Sequence, residues 1–200
     1  KRFLAANAHI LAYRYPAGMK TPQTWQSDVQ RDFASVVTGT SPFVHNETMV
    51  RKSAILNAVL IRGIDPEQRV AVQALDDLIK PFSALAMLTD EQRQYEKCLA
   101  NSKDSDRAFA TCQTAIGKAS LSPIIVGSGL LSILDVKVGD DIDLLSPDEE
   151  RMGELEKFRI VGVYDSGLKH YDNRLGILSI PASLNFFKME DRVTGIEIGL

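Results

Sequence analysis

The chain has 200 residues, 44% hydrophobic and 24% charged, with a formal net charge of −3. This is ordinary globular usage in a chain long enough to bury most of its surface without a metal or a disulfide. Nucleic acid is excluded as an expected partner, because phosphate neutralisation needs a basic excess or stripe and the longest basic cluster is the pair Arg51-Lys52.

Residues 7–15 mix β-branched, aromatic and small side chains and predict a strand, and Pro16-Ala17-Gly18 predicts a turn. Thr21-Pro22 then opens a helix, Thr21 as its N-cap and Pro22 at its first position, with Trp25, Val29, Asp32, Phe33 and Val36 mostly at helical spacing. Residues 43–51 and 54–62 predict a pair of strands around the polar turn Lys52-Ser53. Asp65 caps the next helix, with Pro66 at its first position and Val70, Leu75, Leu78 and Ile79 along it.

Between 82 and 120 the chain turns Gln-, Lys-, Asp-, Ser- and Ala-rich. Thr89-x-x-Gln92 has the form of a capping box. A helix from it to about Leu99, a polar turn over 101–106 and a second helix to about Ile116 predict a helical hairpin. Cys98 and Cys112 face each other across that hairpin. The spacing suits a disulfide or two buried thiols, whereas zinc would need further clustered ligands and no His is nearby.

From Pro123 onward the predicted strands are 124–126, 142–145, 158–164, 174–180 and 193–198. A helical turn over 128–134 and a short helix over 181–189 interrupt them, and a polar loop spans 146–157. The order is α+β with mostly short strands, not a regular βαβ alternation. No apolar run reaches the ~18 residues of a bilayer span. The chain opens on Lys1 and stops inside a strand-like pattern, so further protein is expected beyond it.

The chemistry-bearing motifs are few. Val126-Gly127-Ser128-Gly129 follows a strand and opens a helix like a dinucleotide fingerprint, but Ser132 stands where the third glycine belongs. Asp140, Asp141, Asp143, Asp148, Glu149 and Glu150 lack the spacing that wraps oxygens around calcium and predict a solvated face. There is no Gly-x-Ser-x-Gly elbow and no phosphate-binding Gly-x-x-x-x-Gly-Lys loop. His9, His45 and His170 have no nucleophile placed near them by the sequence. No catalytic, cofactor-binding or metal-binding residue is expected, and the chain is not expected to be an enzyme.

Four phrases in order carry a resemblance. Val59-Leu60-Ile61-Arg62-Gly63-Ile64-Asp65-Pro66 is the first, and Ile124-Ile125-Val126-Gly127 running on to Leu134-Asp135-Val136 and Val138-Gly139-Asp140 is the second. Phe158-Arg159-Ile160-Val161-Gly162-Val163-Tyr164-Asp165-Ser166-Gly167 with Tyr171-Asp172 is the third, and Val193-Thr194-Gly195-Ile196-Glu197-Ile198 the fourth. Together, over about 1–70 and 121–200, the sequence resembles the periplasmic domain of lipoprotein-releasing ABC permeases. The wider family includes the macrolide exporter and FtsX-like permeases.

The resemblance implies a periplasmic domain of a bacterial inner-membrane protein, non-catalytic and without cofactor. It implies a porter-like α/β part over 1–80 and 181–200, a helical hairpin insertion over 82–120, and a small β-rich part over 121–180. Its partners would be the ATPase subunit, a second permease subunit, and a periplasmic lipoprotein carrier or the lipoprotein cargo. The alternative it allows is an efflux permease domain or an FtsX-like regulator of a cell-wall enzyme. The oxidising compartment implies a Cys98–Cys112 disulfide. In this family a hairpin in the matching place docks the carrier, which would make 146–157 the docking element, with Pro147, Met152, Gly153 and Leu155 its binding residues.

Overall fold

The computed structural model describes residues 10–14, 18–68, 75–102, 111–112, 121–147 and 153–200. In chain order they form β1 (Ile10–Tyr13), α1 (Pro22–Asp32), β2 (Gly39–Lys52), β3 (Ile55–Ile64), β4 (Ile79–Lys80), α2 (Ser83–Asn101) and β5 (Pro123–Gly127). There follow α3 (Ser128–Leu134), β6 (Asp141–Leu145), β7 (Leu155–Tyr164), α4 (Lys169–Asp172), β8 (Leu175–Ser179), α5 (Ile180–Phe187) and β9 (Gly195–Gly199).

The fold is α+β around one mixed sheet. The β2–β3 hairpin runs in unbroken antiparallel register from Phe43↔Ile64 to Lys52↔Ile55. Ser53 takes the left-handed conformation that the tight turn needs. From there β3 pairs β8 in parallel, β8 pairs β5 antiparallel, and β5 pairs β7 in parallel with an irregularity between Ile124 and Ile125. β7 pairs β6, and β6 returns to the far half of β2 through Val50↔Leu144 and Arg51↔Asp143. The pairing therefore closes on itself as a ring of six strands: β2, β3, β8, β5, β7 and β6. β9 and then β1 extend from the near half of β2 as a wing.

Alternation along the strands decides what fills the ring. Val50, Val59, Ile61, Ile124, Val126, Ile142, Leu144, Phe158 and Ile160 point into one buried cluster, which Leu130 and Leu134 of α3 and Phe186 of α5 complete. Phe158 and Phe186 meet edge to face at 5.6 Å, the arrangement that aromatic quadrupoles prefer. A second cluster lies under α2, where Ala84, Leu85 and Leu88 pack on Ile125, Val161 and Ile177. Gly162 lets the helix approach, since a Cβ there would meet the Ala84 methyl. A third cluster, including Val44, Leu184, Ile196 and Ile198, joins α5 to the wing.

Several local expectations are corrected. Thr89 and Gln92 form no capping box, because α2 already begins at Ser83 and both sit inside it. Thr89 Oγ1 instead donates back to the Leu85 carbonyl at 2.9 Å, a bond open to any mid-helix threonine. In α1 the buried side chains are Pro22 and Gln26, while Trp25 is 47% exposed. Thr21 precedes α1 in a left-handed conformation without a side-chain cap bond. Asp65 Oδ1 accepts from the amides of Glu67 and Gln68, but these lie in a turn, and of the residues expected along one helix Leu78 lies in a second turn and Ile79 in β4; Val70 lies outside the described residues.

Candidate functional site

The loop expected to dock a partner is narrower than 146–157, because β7 begins at Leu155 and pairs Leu145. Ser146 N donates to the Glu154 carbonyl at 2.9 Å, closing the hairpin base. Pro147 is exposed, and Gly153 is exposed with φ +91° and open space around it. Leu155 is half-buried. Met152 lies outside the described residues. Of the acidic set, Asp141 pairs with Arg159 and Asp143 with Arg51 across strands. Such cross-strand ion pairs fit the solvated face expected for these two; Asp148, Glu149 and Glu150 lie outside the described residues.

The glycine-rich turn has a packing explanation. A Cβ at Gly127 would strike the Asp172 carbonyl and one at Gly129 the Asn173 side chain, so both positions admit the α4 segment against the β5–α3 turn. Asp172 is itself buried and accepts from the Ser166 amide at 3.1 Å and the Ser166 hydroxyl at 2.7 Å. The turn's open side is thus filled by the chain itself.

Sequence reasoning missed the most buried charges. Arg62 on β3 reaches across β2 to Glu197 on β9, and their side chains are only 12% and 3% exposed. Burial pushes the Glu197 carboxyl up, and the Arg62 charge offsets this in part. Arg62 stays cationic, its pKa raised despite burial by the Glu197 charge and hydrogen bond. His45, beside them, is pushed down by burial and by the Arg62 charge. A cavity of about 60 Å³ separates this group from Leu11, Leu60 and Tyr171. Arg62 and Glu197 do stand in the sequence as charges within otherwise apolar strand phrases, the one available signal. A further buried acid, Glu91 of α2, accepts from the Ser179 hydroxyl at the start of α5. Burial raises its pKa.

Among the described residues no cluster of His, Cys, Asp and Glu could hold a metal ion. Among them, too, no helix is long and apolar enough to cross a membrane. Cys98 and Cys112 are joined in a disulfide with their Cα atoms 5.7 Å apart, tying the C-terminal half of α2 to a helical turn at 111–112.

No family model and no curated protein matches the chain. Solved structures do match. The periplasmic region of MacB from Actinobacillus actinomycetemcomitans is 11% identical with a TM-score of 0.47, covering 96% of this chain and 66% of that chain. The extracellular domain of the noncanonic ABC-type transporter YknZ from Gram-positive bacteria is 10% identical with a TM-score of 0.50, covering 94% of this chain and 80% of that chain. At such identity the YknZ likeness is one of fold: the chain has the α+β fold of a transporter's extracellular domain.

Proposed function

We propose that the chain is the extracytoplasmic domain of an ABC-transporter permease of the lipoprotein-releasing type. In this reading it has no active site of its own and couples ATP-driven motion to transfer of lipoprotein cargo to a periplasmic carrier. The fold likeness to the YknZ domain across 94% of the chain carries the transporter part of the reading.

The porter-like part over 1–80 and 181–200 and the β-rich part over 121–180 would then be the moving halves. Their seams would be the β3–β8, β2–β6 and β4–β7 pairings. The lipoprotein assignment rests on the four resembling phrases. Its docking element would be the hairpin carrying Pro147, Met152, Gly153 and Leu155, with Met152 and Leu155 as apolar anchors and the surrounding acids steering. A second reading is a permease that serves efflux or regulates a cell-wall enzyme. The fold likeness to the YknZ domain fits this reading equally.

The Met152→Asp, Leu155→Asp double variant separates these readings. It is expected to fold normally and to lose binding to the periplasmic lipoprotein carrier encoded with the transporter. Unchanged binding by the variant would mean that the loop is only a turn, whereas no binding by the unaltered chain would count against lipoprotein release and leave the efflux or regulatory reading in its place.

A further inference from the structure

One face of α2 looks into a cleft that the transporter reading does not use. The buried stripe of α2 begins apolar with Ala84, Leu85 and Leu88 and turns polar at Glu91, Gln92 and Tyr95. Gln92, Tyr95, Glu96 and Leu99, at helical spacing, line a cavity of about 270 Å³ together with the start of α1 and part of α5. The volume is below that of a drug-sized site, so it suits a charged head and a few carbons.

Gln92 is only 7% exposed. Its Nε2 donates to Glu96 Oε1 at 2.8 Å, and this fixes the amide, because the flipped form would set two acceptors against each other. Gln92 Oε1 is then left buried with no hydrogen-bond partner among the described residues. A buried acceptor without a donor is a cost that folds rarely carry uncompensated. The charges around it are of one sign. Asp65, Glu96 and Asp191 line the cleft, and no Lys or Arg is among its described lining residues. Asp191 lies 3.8 Å from Lys20, but both are about half exposed and the contact is open to solvent. The Asp191 charge still reaches inward: with burial as the larger cause, it helps push the Tyr95 phenol well above its usual range.

We propose that this cleft binds an organic cation, a protonated amine or guanidine on a short apolar chain. An N–H of the cation donates to Gln92 Oε1, the three carboxylates balance its charge, and its carbons lie on Pro22, Leu99 and Leu184. The site does not depend on the transporter reading. Its source is either a small amine or a Lys or Arg side chain of a protein, which present the same chemistry.

The test is titration of the full 200-residue chain, disulfide intact, with n-butylguanidinium chloride and with n-butylurea, its neutral counterpart of similar shape, read by NMR on the backbone amide of Tyr95, which lines the cleft and is kept in both variants. The guanidinium is expected to shift that resonance saturably and the urea to leave it in place at the same concentration. Glu96→Gln, at an exposed position, is expected to weaken binding up to about fivefold. Gln92→Leu is expected to weaken it roughly tenfold or more without lowering the chain's stability. Equal shifts from guanidinium and urea, no saturable shift, or full binding by both variants would overturn the proposal and leave the cavity to water. A blocked Gly-Arg-Gly peptide distinguishes the sources. Binding of both peptide and butylguanidinium points to a protein side chain, and binding of butylguanidinium alone to a small amine, either outcome supporting the cation site.

Discussion

The six-stranded ring and the α2 layer bury comparable lengths of chain in opposite ways. Inside the ring fourteen buried hydrophobic side chains pack together, and Phe158 and Phe186 meet among them edge to face. Under α2 the apolar packing stops after Leu88, and Glu91, Gln92 and Tyr95 continue the buried stripe. A dry core specifies a fold and little else. Buried polar atoms are costly enough that their presence needs a reason, so the α2 layer is where a ligand or a moving contact is to be sought. The Arg62–Glu197 pair makes the same point on the wing: a buried pair adds little net stability over an apolar substitute.

This contrast can be broken experimentally. Phe158→Ala should have the largest effect, lowering the unfolding free energy by about 3–5 kcal/mol because the closed ring cannot collapse into the space left. Denaturant unfolding measures it, and amide protection should fall throughout β2, β3 and β5 to β8. Reducing the Cys98–Cys112 disulfide should cost less, up to about 3 kcal/mol in the chain-entropy model for a loop of this length. Hydrogen exchange should place the lost protection in the C-terminal half of α2, with the ring unchanged. If reduction loosened the ring as well, the two regions would be one cooperative unit and the contrast would fail.

How much of this was legible in the sequence depended on the distance over which each signal acts. The β2–β3 hairpin was legible because a polar turn at Lys52-Ser53 separates two long strand-forming runs. The Asp65 carboxylate was legible as an acceptor for the amides just after it because such bonds are settled within three residues, but the helix expected beyond it was not, since Ile79 pairs with β7. Thr89-x-x-Gln92 misled for the same reason: the motif is local, but α2 starts six residues earlier, at Ser83, and Ala84 and Leu85 then pack on the sheet. Trp25 misled because hydrophobic spacing names a face without saying that the sheet meets Gln26 instead, which donates to the Thr40 carbonyl at 3.2 Å. Ring closure was out of reach, since β6 meets β2 some ninety positions away through two residue pairs. Two-residue β4 and four-residue α4 are too short to carry any period. The buried Gln92 could have been suspected only from the change of α2's inner stripe from Leu to Glu and Gln.

The central claim, a non-catalytic domain that moves with ATP turnover elsewhere in a transporter, is tested most directly by ATP hydrolysis. The measurement compares the isolated chain with the assembled transporter in nanodiscs, free or clamped by an antibody fragment bridging the β2–β3 hairpin and the β6–β7 hairpin. No hydrolysis by the chain alone, together with a severalfold fall in turnover when the domain is clamped, is the predicted result. Hydrolysis by the isolated chain, or turnover indifferent to the clamp, would contradict the account.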